Sequence, residues 1–360
     1  MSATRNKVAV LYQAIEPPIV NGVRKPKKPG GYQDSGADIA YVLQQAGIDT
    51  ATPAFDPDPQ RDTDWCFADT EEGIIDAVNR GTTHLWANTI LFSSHPLQVS
   101  SKLSEHASHI RVVGQPPRLV DQYDDKNFVN ELLRRDGSFY LPKSWLVRSI
   151  DDLDAQDLPF QIVAKPIRGR GSHGVKLCRN SDSLRVHLEG LLKESSPAML
   201  EQYLSGQEGT VTVMPPSGEH PDYTALPIVI RFNHDEGIAP YNGTVAVTTN
   251  SRGLTTEERG ASPAYEAVEK ACERVAAKLK VTAPIRIDVR QPDEDKAADF
   301  AIFDVNMKPN MTGPGRPGRE DQASLTALAA KELGWDYSKL LQEILKSAQT
   351  LKQLRQQNIQ

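Results

Sequence analysis

The sequence has few cysteines and no long apolar run. Only three of its 360 residues are cysteines, Cys66, Cys178 and Cys272, and they lie far apart. Cysteines in this number and at these distances are typical neither of a disulfide framework nor of a zinc site, whose ligands come in close pairs. No apolar stretch approaches the ~18 residues of a transmembrane candidate. We therefore expect a reduced cytoplasmic protein with no membrane partner.

The sequence also lacks an excess of basic residues. Lys and Arg number 41 against 47 Asp and Glu, which gives a formal net charge of −6. This balance argues against a nucleic-acid partner, although a local basic patch is compatible with it. Apolar residues make up 39% of the chain, which is enough for a sizeable core, so we expect a globular protein of about two or three subdomains. The N-terminus enters a strand-like run without the apolar region of a signal peptide, and we expect no leader.

The first 120 residues alternate between strand and helix patterns. Short apolar runs at 8–12, 84–92 and 110–113 predict strands, and residues 35–46 have helical spacing with Gly47 just after the end. Alternation of this kind predicts a mostly parallel, doubly wound sheet. We take Gly114 and the prolines after it as the first break and place the N-terminal domain at 1–122.

A segment rich in proline and lysine interrupts this pattern between residues 16 and 31. Its basic residues are Arg24, Lys25, Lys27 and Lys28, and prolines stand on both sides of them. So much proline predicts a loop without regular elements. It is either a solvated surface loop or a mobile basic lid over an anionic substrate.

The rest of the chain mixes strands and helices. We place a central subdomain at 123–197 and a C-terminal domain at 198–360. Helices are predicted at 124–135, 181–192 (capped by Ser181 or Asp182), 263–280, 321–333 and 337–355. Strands are predicted at 141–147, 160–165, 175–178, 199–203 and 210–214, and two longer strands at 225–249. Residues 285–290 and 300–306 read as an antiparallel pair.

The first chemical signal is a lysine followed by a glycine-rich loop. Lys165 ends an apolar strand, and the sequence then reads Pro-Ile-Arg-Gly-Arg-Gly-Ser-His-Gly. Glycines allow positive φ and a close approach of the backbone, so several N–H groups can face one anion. Lys165, Arg168 or Arg170 would add charge and Ser172 a hydroxyl. The segment is a phosphate-binding hairpin or a basic turn without a ligand, and it matches neither the P-loop nor the dinucleotide motif.

The second signal lies on the predicted antiparallel pair. Side chains two residues apart on a strand share a face, which groups Arg286 with Asp288 and Asp304 with Asn306. If the two strands pair, three oxygen ligands and a guanidinium converge. Oxygen ligands suit Mg²⁺, which typically takes one or two carboxylates together with substrate phosphates. The alternative is a surface salt bridge between the two strands. The residues that flank these four side chains are apolar, so the polar face should line a cleft, which favours the metal site.

The third signal is a strand end with acidic and aromatic residues. Glu201, Tyr203 and Leu204 precede a turn, and Glu208 follows it. Such a segment could hold a purine against Tyr203 or Leu204, with Glu208 near ribose hydroxyls. Alone it is equally compatible with an ordinary turn with exposed acids.

In this order the three segments resemble the ATP-grasp superfamily, and within it the D-alanine–D-alanine ligase-like group. The likeness runs from residue 114 to residue 330, and Asp125-Lys126 stands where the family has an Asp-Lys pair. The resemblance implies an α/β ATP-grasp fold: an N-terminal doubly wound domain, a small central lid and a C-terminal α+β domain. It also implies ATP and Mg²⁺ (or Mn²⁺) as cofactors.

The resemblance also implies roles for individual residues. The implied nucleotide contacts are Lys126, Lys165, Gly169, Gly171, Ser172, Glu201, Tyr203, Leu204 and Glu208. The implied metal ligands are Asp288, Asp304 and Asn306. The implied catalytic groups are Arg286, Lys165 and Ser172, with Arg286 stabilising developing negative charge.

The sequence departs from the ligase pattern where the substrates would bind. The family's His-Gly motif is absent, Asn310 replaces its glycine after Lys308, and residues 241–249 contain no lysine. Glu16 and Ser35 are candidates for the first-substrate contacts. Because the basic loop and Lys308 add positive charge, we hypothesise a substrate that is more anionic or bulkier than alanine.

The implied reaction is ATP-dependent formation of an amide or peptide bond through an acyl phosphate, with ADP and phosphate as products. The partners would be a small-molecule carboxylate and an amine, and a homodimer is compatible with the sequence. One alternative is an ATP-grasp kinase that acts on a hydroxyl. Another is a non-catalytic nucleotide-binding regulator, against which the retained set of metal ligands argues.

Overall fold

The structure, a computed structural model, describes residues 6–20, 22–25, 27–153, 157–169, 171–238, 246–295 and 297–357. The strands in these ranges are β1 Lys7–Tyr12, β2 Ile19–Val20, β3 Val23–Arg24, β4 Asp49–Thr50, β5 Cys66–Ala68, β6 His84–Asn88, β7 Arg111–Val113, β8 Ser144–Val147, β9 Ile162–Pro166, β10 Lys176–Cys178, β11 Ala198–Gln202, β12 Glu208–Met214, β13 Thr224–Ala225, β14 Val229–Arg231, β15 Ser251–Gly253, β16 Ile285–Arg290, β17 Ala301–Asn306 and β18 Gln349–Thr350. The helices are α1 Gln33–Gln45, α2 Glu71–Asn79, α3 Pro96–Val99, α4 Pro117–Tyr123, α5 Lys126–Asp136, α6 Ser181–Glu194, α7 Thr256–Gly260, α8 Pro263–Leu279, α9 Leu325–Lys331, α10 Tyr337–Leu345 and α11 Leu351–Gln356.

The N-terminal sheet is mostly parallel and has helices on both faces. Its order is β18-β7-β6-β1-β4, with β5 also paired to β1, and only β18 runs antiparallel to its neighbour. Val8 and Val10 pack towards α1 and α10, whereas Ala9 and Leu11 pack towards α2. A strand covered on both faces has to be apolar throughout, which is why residues 8–11 form one continuous run. The predicted doubly wound arrangement is confirmed.

The middle sheet is small and antiparallel, in the order β10-β9-β11-β8. Helix α6 covers it through Leu184, Leu188 and Leu191. The predicted cap of this helix is wrong by one residue. Asn180, not Ser181, accepts the hydrogen bond from the backbone N–H of Ser183 at 2.9 Å, because the N-cap residue must itself be extended rather than helical.

The third sheet is antiparallel and carries the predicted metal strands. Its order is β15-β14-β12-β16-β17, with β13 paired to β12. The predicted pairing of β16 with β17 is confirmed, and the register sets Arg286 opposite Asn306 and Asp288 opposite Asp304. These four side chains lie at one end of the pair, and the register shifts just beyond them, after Asp288.

Several predicted elements are wrong in extent. The proline-rich segment contains the hairpin β2–β3. Residues 225–249 form no long strands in their described part, since Pro227 and a left-handed Gly237 interrupt them. Helix α9 begins only after Ser324, whose hydroxyl caps it. The predicted helix 337–355 is broken into α10, β18 and α11, because the chain turns at 346–348 to pair β18 with β7.

The three predicted domain ranges stay predictions. Strand β11 lies in the middle sheet although its residues fall in the range predicted for the C-terminal domain, and β18 lies in the N-terminal sheet. Where the chain is described, it contains no helix whose length and apolar character would suit a bilayer crossing.

Candidate active site

A cavity of about 630 Å³ lies where the three sheets meet. It is lined by β9 and the glycine loop, by residues 201–204, by the facing ends of β16 and β17, and by side chains near the proline-rich segment. The predicted site residues on its wall are Lys126, Lys165, Gly169, Gly171, Ser172, Glu201, Tyr203, Leu204, Glu208, Arg286, Asp288, Asp304, Asn306 and Asn310. Arg170 lies outside the described residues. Side chains far apart in the sequence therefore share one enclosed space.

The β16–β17 end holds two ion pairs. The Arg286 guanidinium donates from Nε and Nη2 to the two oxygens of Asp288, at 3.0 and 3.2 Å. The hydroxyl of Thr210 also donates to Asp288, at 2.6 Å. The Lys126 ammonium donates to Asp304 at 2.7 Å, and it does so from the first residue of α5. Lys126 of the Asp125-Lys126 pair is thus brought directly to the β16–β17 end, whereas Asp125 caps α5.

Electrostatics keep Asp304 ionised in spite of burial. Burial alone would raise the pKa of this carboxyl, but the positive charges of Lys126 and Lys165 hold that pKa below its usual value. Conversely, the pKa of the Lys126 ammonium is raised, because the attraction of Asp304 outweighs the cost of burial. The site therefore offers a charged carboxylate at neutral pH.

The donor set at this end suits a divalent cation of the Mg²⁺ type. It consists of carboxylate oxygens from Asp288 and Asp304 and the amide oxygen of Asn306, all hard oxygen ligands. The Asn306 amide oxygen accepts the backbone N–H of Lys308 at 3.0 Å, which fixes its orientation. Both carboxylates are partly exposed to the cavity, with 13% and 24% of their side chains accessible.

Lys165 is paired with a neighbouring acid. Its ammonium donates to Glu201 at 2.7 Å and to the carbonyl of Phe303 at 3.2 Å, and both charged side chains are almost fully buried. Burial raises the pKa of the Glu201 carboxyl, although Lys165 opposes the shift. The pair lies on adjacent strands β9 and β11, whose register places Lys165 beside Met199 and Glu201 beside Val163. The sequence pattern does not predict this ion pair between Lys165 and Glu201.

The glycine loop has the geometry that its composition suggests. Gly171 and Ser172 both have left-handed backbones, with φ of 63° and 59°. A Cβ on Gly169 would lie 2.7 Å from the Cγ of Pro166, so this position admits a residue other than glycine only if the proline ring moves. Arg168 turns away from the cavity and donates to the carbonyl of Asp121 at 2.9 Å. Of the two arginines proposed to add charge here, the described one does not line the cavity.

Arg290 is a residue that the sequence reasoning missed. It lies 8% exposed at the end of β16 and donates to four groups: the hydroxyl of Tyr203, the carbonyls of Gly206 and Gly237, and the carboxylate of Glu208. His234 contacts the same oxygen of Glu208, with its Nε2 at 2.8 Å. A signal was present, since Arg290 continues the same-face series of Arg286 and Asp288.

The opposite end of the cavity is lined by residues of the proline-rich segment and by Lys308. Lys25 pairs with Asp124 at 2.5 Å, and Lys28 pairs with Asp34 at 3.3 Å. The Lys308 ammonium donates to the Asn88 amide oxygen at 2.7 Å. Lysines of the predicted loop therefore do reach the cavity, but carboxylates already lie beside two of them.

The two weaker substrate candidates do not line this cavity. Glu16 is half-exposed and pairs with Lys27 at 3.3 Å. Ser35 is fully buried; it donates to the Tyr32 carbonyl at 3.2 Å and accepts from the Asn88 amide at 3.0 Å.

A second group of possible metal ligands lies elsewhere. Among the residues with described positions, Glu219, His220 and Glu343 bring ligand atoms within 4.8 Å of one another. The Lys346 ammonium already contacts Glu219 at 2.6 Å and Glu343 at 2.9 Å. A lysine thus supplies the positive charge that these acids need.

Comparisons with known proteins agree on one family. Residues 143–346 match the family model described as D-ala D-ala ligase C-terminus. Among curated proteins, D-alanine–D-alanine ligase A of Bacillus cereus is 29% identical over 230 residues, which is 62% of this chain and 67% of that protein. The D-alanine–D-alanine ligase of Aquifex aeolicus is 26% identical over 221 residues, 61% of this chain and 68% of that protein. The alignments thus span about two thirds of these relatives.

Solved structures show the same fold over almost the whole chain. The D-alanine–D-alanine ligase of Bacillus anthracis, solved in complex with ATP, superposes with a TM-score of 0.63 at 20% identity, covering 98% of this chain and 99% of that one. The VanG D-Ala:D-Ser ligase of Enterococcus faecalis gives 0.64 at 13% identity, covering 95% and 98%. These likenesses confirm the predicted fold class.

Proposed function

We propose, since the chain belongs to the D-alanine–D-alanine ligase family, that it joins a carboxylate to an amine at the expense of ATP. It is an ATP-dependent ligase that forms carbon–nitrogen bonds, with ADP and phosphate as products. The carboxylate takes the γ-phosphoryl group to give an acyl phosphate, and the amine then displaces phosphate. The observation that carries the proposal is the convergence of three charged pairs in one cavity: Lys126–Asp304, Lys165–Glu201 and Arg286–Asp288.

The nucleotide lies between the middle and third sheets in this proposal. Residues 201–204 provide a peptide edge and the Tyr203 ring for the base, and Glu208 accepts from the ribose hydroxyls. Lys126 and Lys165 neutralise phosphate charge, and the left-handed backbone at Gly171 and Ser172 points donors at the phosphates. Each assignment is supported by the residue's position on the cavity wall.

Asp288, Asp304 and Asn306 would hold Mg²⁺ or Mn²⁺. The bound ion would neutralise the charge that develops on the phosphoryl oxygens. Lys126 is already placed to balance Asp304, and Arg286 is held in a fixed orientation by Asp288. A guanidinium fixed in this way can stabilise the oxyanion of the tetrahedral intermediate without reorganisation. Lys165 and Ser172 would bind the transferred phosphoryl group through a charge and a hydroxyl.

The substrates are a small carboxylate and a small amine. The curated relatives are named for D-alanine, and D-alanine is therefore the first compound to test in both roles. Asn310 and Thr312 line the cavity beside the metal strands and offer hydrogen-bonding groups to the amine substrate. A cytoplasmic location, a homodimer and substrate contacts by Glu16 and Ser35 stay predictions.

The decisive experiment measures ADP release from Mg²⁺–ATP with a panel of carboxylates crossed with a panel of amines. Hydroxylamine is included to trap an acyl phosphate as a hydroxamate. ADP release that requires a carboxylate, together with hydroxamate formation, supports the ligase. ADP release with hydroxyl compounds alone would show that the proposed activity is that of a kinase rather than a ligase. ATP binding without ADP release under any condition would favour the regulator.

A further inference from the structure

Two lysines lie against one tyrosine ring at the end of the cavity away from the nucleotide contacts. The Lys308 ammonium is 3.9 Å from the centroid of the Tyr32 ring, and the Lys28 ammonium is 4.8 Å from the same centroid. All three residues line the cavity, and Tyr32 is only 7% exposed. Two positive charges therefore lie against one largely buried ring on the cavity wall, and we call these three residues the lysine wall.

The backbone holds the lysine wall in place. Gly30, Gly31 and Tyr32 are consecutive left-handed residues, with φ of 70°, 57° and 66°. A Cβ on Gly31 would lie 2.1 Å from the carbonyl oxygen of Gln13, so no other residue fits there. Asn88 joins the two sides, because its amide donates to the Tyr32 carbonyl and its oxygen accepts from Lys308. The wall is therefore part of the fold rather than a surface loop.

The carboxylates near the lysine wall are shared among several cations. Asp34 lies 3.3 Å from Lys28 and 3.9 Å from Arg319. Arg319 and the buried Arg316 both contact Asp38, and Arg316 also contacts Asp62. Burial would raise the pKa of Asp34, but Lys28 and the backbone N–H of Ser35 hold it below its usual value. The cations named in this cluster are Lys28, Lys308, Arg316 and Arg319, against three carboxylates, and Asp321 is a further acid on the cavity wall.

We propose that the carboxylate substrate carries a second carboxylate, which binds the ammonium groups of Lys28 and Lys308 beside Tyr32. This inference rests on the proposed ligase function and narrows its substrate class to dicarboxylic acids, amino acids among them. The two ammonium groups repel each other near the same buried ring, and an anion that contacts both removes this cost while it gains two charge-assisted hydrogen bonds. Glu16, a candidate for a first-substrate contact, pairs with Lys27 and does not line the cavity.

The test compares ligands that differ only in charge. The full-length protein is loaded with Mg²⁺ and adenylyl imidodiphosphate, and binding of D- and L-glutamate and of D- and L-glutamine is measured by calorimetry. One enantiomer of glutamate should bind about tenfold or more tightly than the corresponding glutamine. A hydrogen bond to a charged group contributes roughly 1.5–3 kcal/mol, and about 1.4 kcal/mol corresponds to a tenfold change in affinity. The same acid should support ADP release when an amine is added.

Variants of the wall locate the effect. Lys308→Met and, separately, Lys28→Met should abolish the preference for glutamate and leave the affinity for glutamine within about twofold. Lys27→Met is the matched control, because it lies on the same segment, pairs with Glu16 outside the cavity and should change neither affinity. Thermal melting of each variant verifies folding. Rising salt should weaken glutamate binding more than glutamine binding.

Three outcomes separate the claims. Equal binding of glutamate and glutamine to the wild type, or a preference that survives Lys308→Met, overturns the lysine wall as an anion site. ADP release with alanine under those conditions would leave the proposed ligase function standing. Glutamate binding that depends on Lys308, without ADP release for any carboxylate and amine, would instead contradict the ligase function and retain the anion site.

Discussion

Asp304 is the carboxylate that balances the positive charge of Lys126 in the candidate active site. It accepts from Lys126 and lowers the cost of burying both groups. We expect Asp304→Asn to reduce kcat for ADP release about a hundredfold or more, because lost stabilisation of developing charge costs several kcal/mol. The rate should be measured over a wide Mg²⁺ range, with circular dichroism to verify folding.

The matched control is Asp299→Asn, an exposed acid in the connection that precedes the same strand. It should leave ADP release unchanged. If Asp304→Asn retains near-normal turnover at ordinary Mg²⁺, the assignment of Asp304 as a metal ligand is wrong.

Arg290 is the second residue whose removal should have a specific effect. Its guanidinium joins Tyr203, Gly206, Glu208 and Gly237, so it positions the groups that we assign to the base and the ribose. Arg290→Met should raise the KM for ATP about tenfold, the loss of roughly one charged hydrogen bond, while kcat changes less. Arg290→Lys should not restore the KM, since one ammonium lacks the planar, forked donors with which the guanidinium reaches four acceptors. Arg135→Met, on an exposed helix face, is the control, and an unchanged KM would restrict Arg290 to a purely structural role.

At the scale of elements, the short helix α7 has a cap that depends on pH. Glu258 accepts from both sides of the Arg252 guanidinium and from the backbone N–H of Thr255. Hydrogen bonds from Arg252, followed by that from Thr255, lower the pKa of this exposed carboxyl from 4.5 to about 2. Because the folded-state pKa is below the unfolded one, its stabilisation is fully present above pH 4.5 and is lost as the pH falls towards 2.

Glu258→Gln should therefore lower the unfolding midpoint by the same small amount at pH 7 and pH 5, and by less at pH 3. Differential scanning calorimetry of wild type and variant at the three values checks this. Glu257→Gln, the neighbouring acid outside the capping box, should show a weaker effect. A difference in unfolding midpoint between wild type and variant that grows as the pH falls would contradict the lowered folded-state pKa of Glu258.

Elements with a strong local pattern were predictable, and those that depend on distant partners were not. Helix α8 has apolar spacing, a serine cap and a proline at its start, and the polar side chains near one end of β16 and β17 stand two residues apart, so local rules were sufficient to predict these elements. The break between α10 and α11 has a weaker signal, the capping box of Thr350 and Gln353 at the start of α11. Leu351 and Leu354 nevertheless continue the helical pattern of α10, and the turn before them is fixed by the pairing of β18 with β7. Likewise, the positions of Asp288 and Asp304 followed from strand alternation, whereas the contacts of Lys165 with Glu201 and of Lys308 with Tyr32 arise from tertiary packing.

At the scale of the whole molecule, the C-terminal segment closes the N-terminal sheet. Leu351 and Leu354 are fully buried there, and Arg355 donates to the carbonyls of Leu97 and Ser100. Truncation after Lys346 should reduce the free energy of unfolding by about 4 kcal/mol, the burial of two leucine side chains. Chemical denaturation followed by tryptophan fluorescence measures the loss.

A truncation that removes only residues 358–360 is the control and should be neutral. ATP binding by the longer truncation, where it remains folded, should change little, because the proposed nucleotide contacts lie outside the N-terminal sheet. A stability equal to that of the wild type would show that β18 and α11 are accessory.

The same strand order has a consequence for synthesis on the ribosome. Strand β7 ends at Val113, and its partner β18 begins at Gln349, more than 200 residues later. At roughly 5–20 residues per second, translation of this interval takes on the order of 10–50 seconds. Throughout that time the nascent sheet exposes an unpaired edge, which can pair with another chain. Nascent chains of this protein should therefore depend on ribosome-associated chaperones until the final strand has emerged.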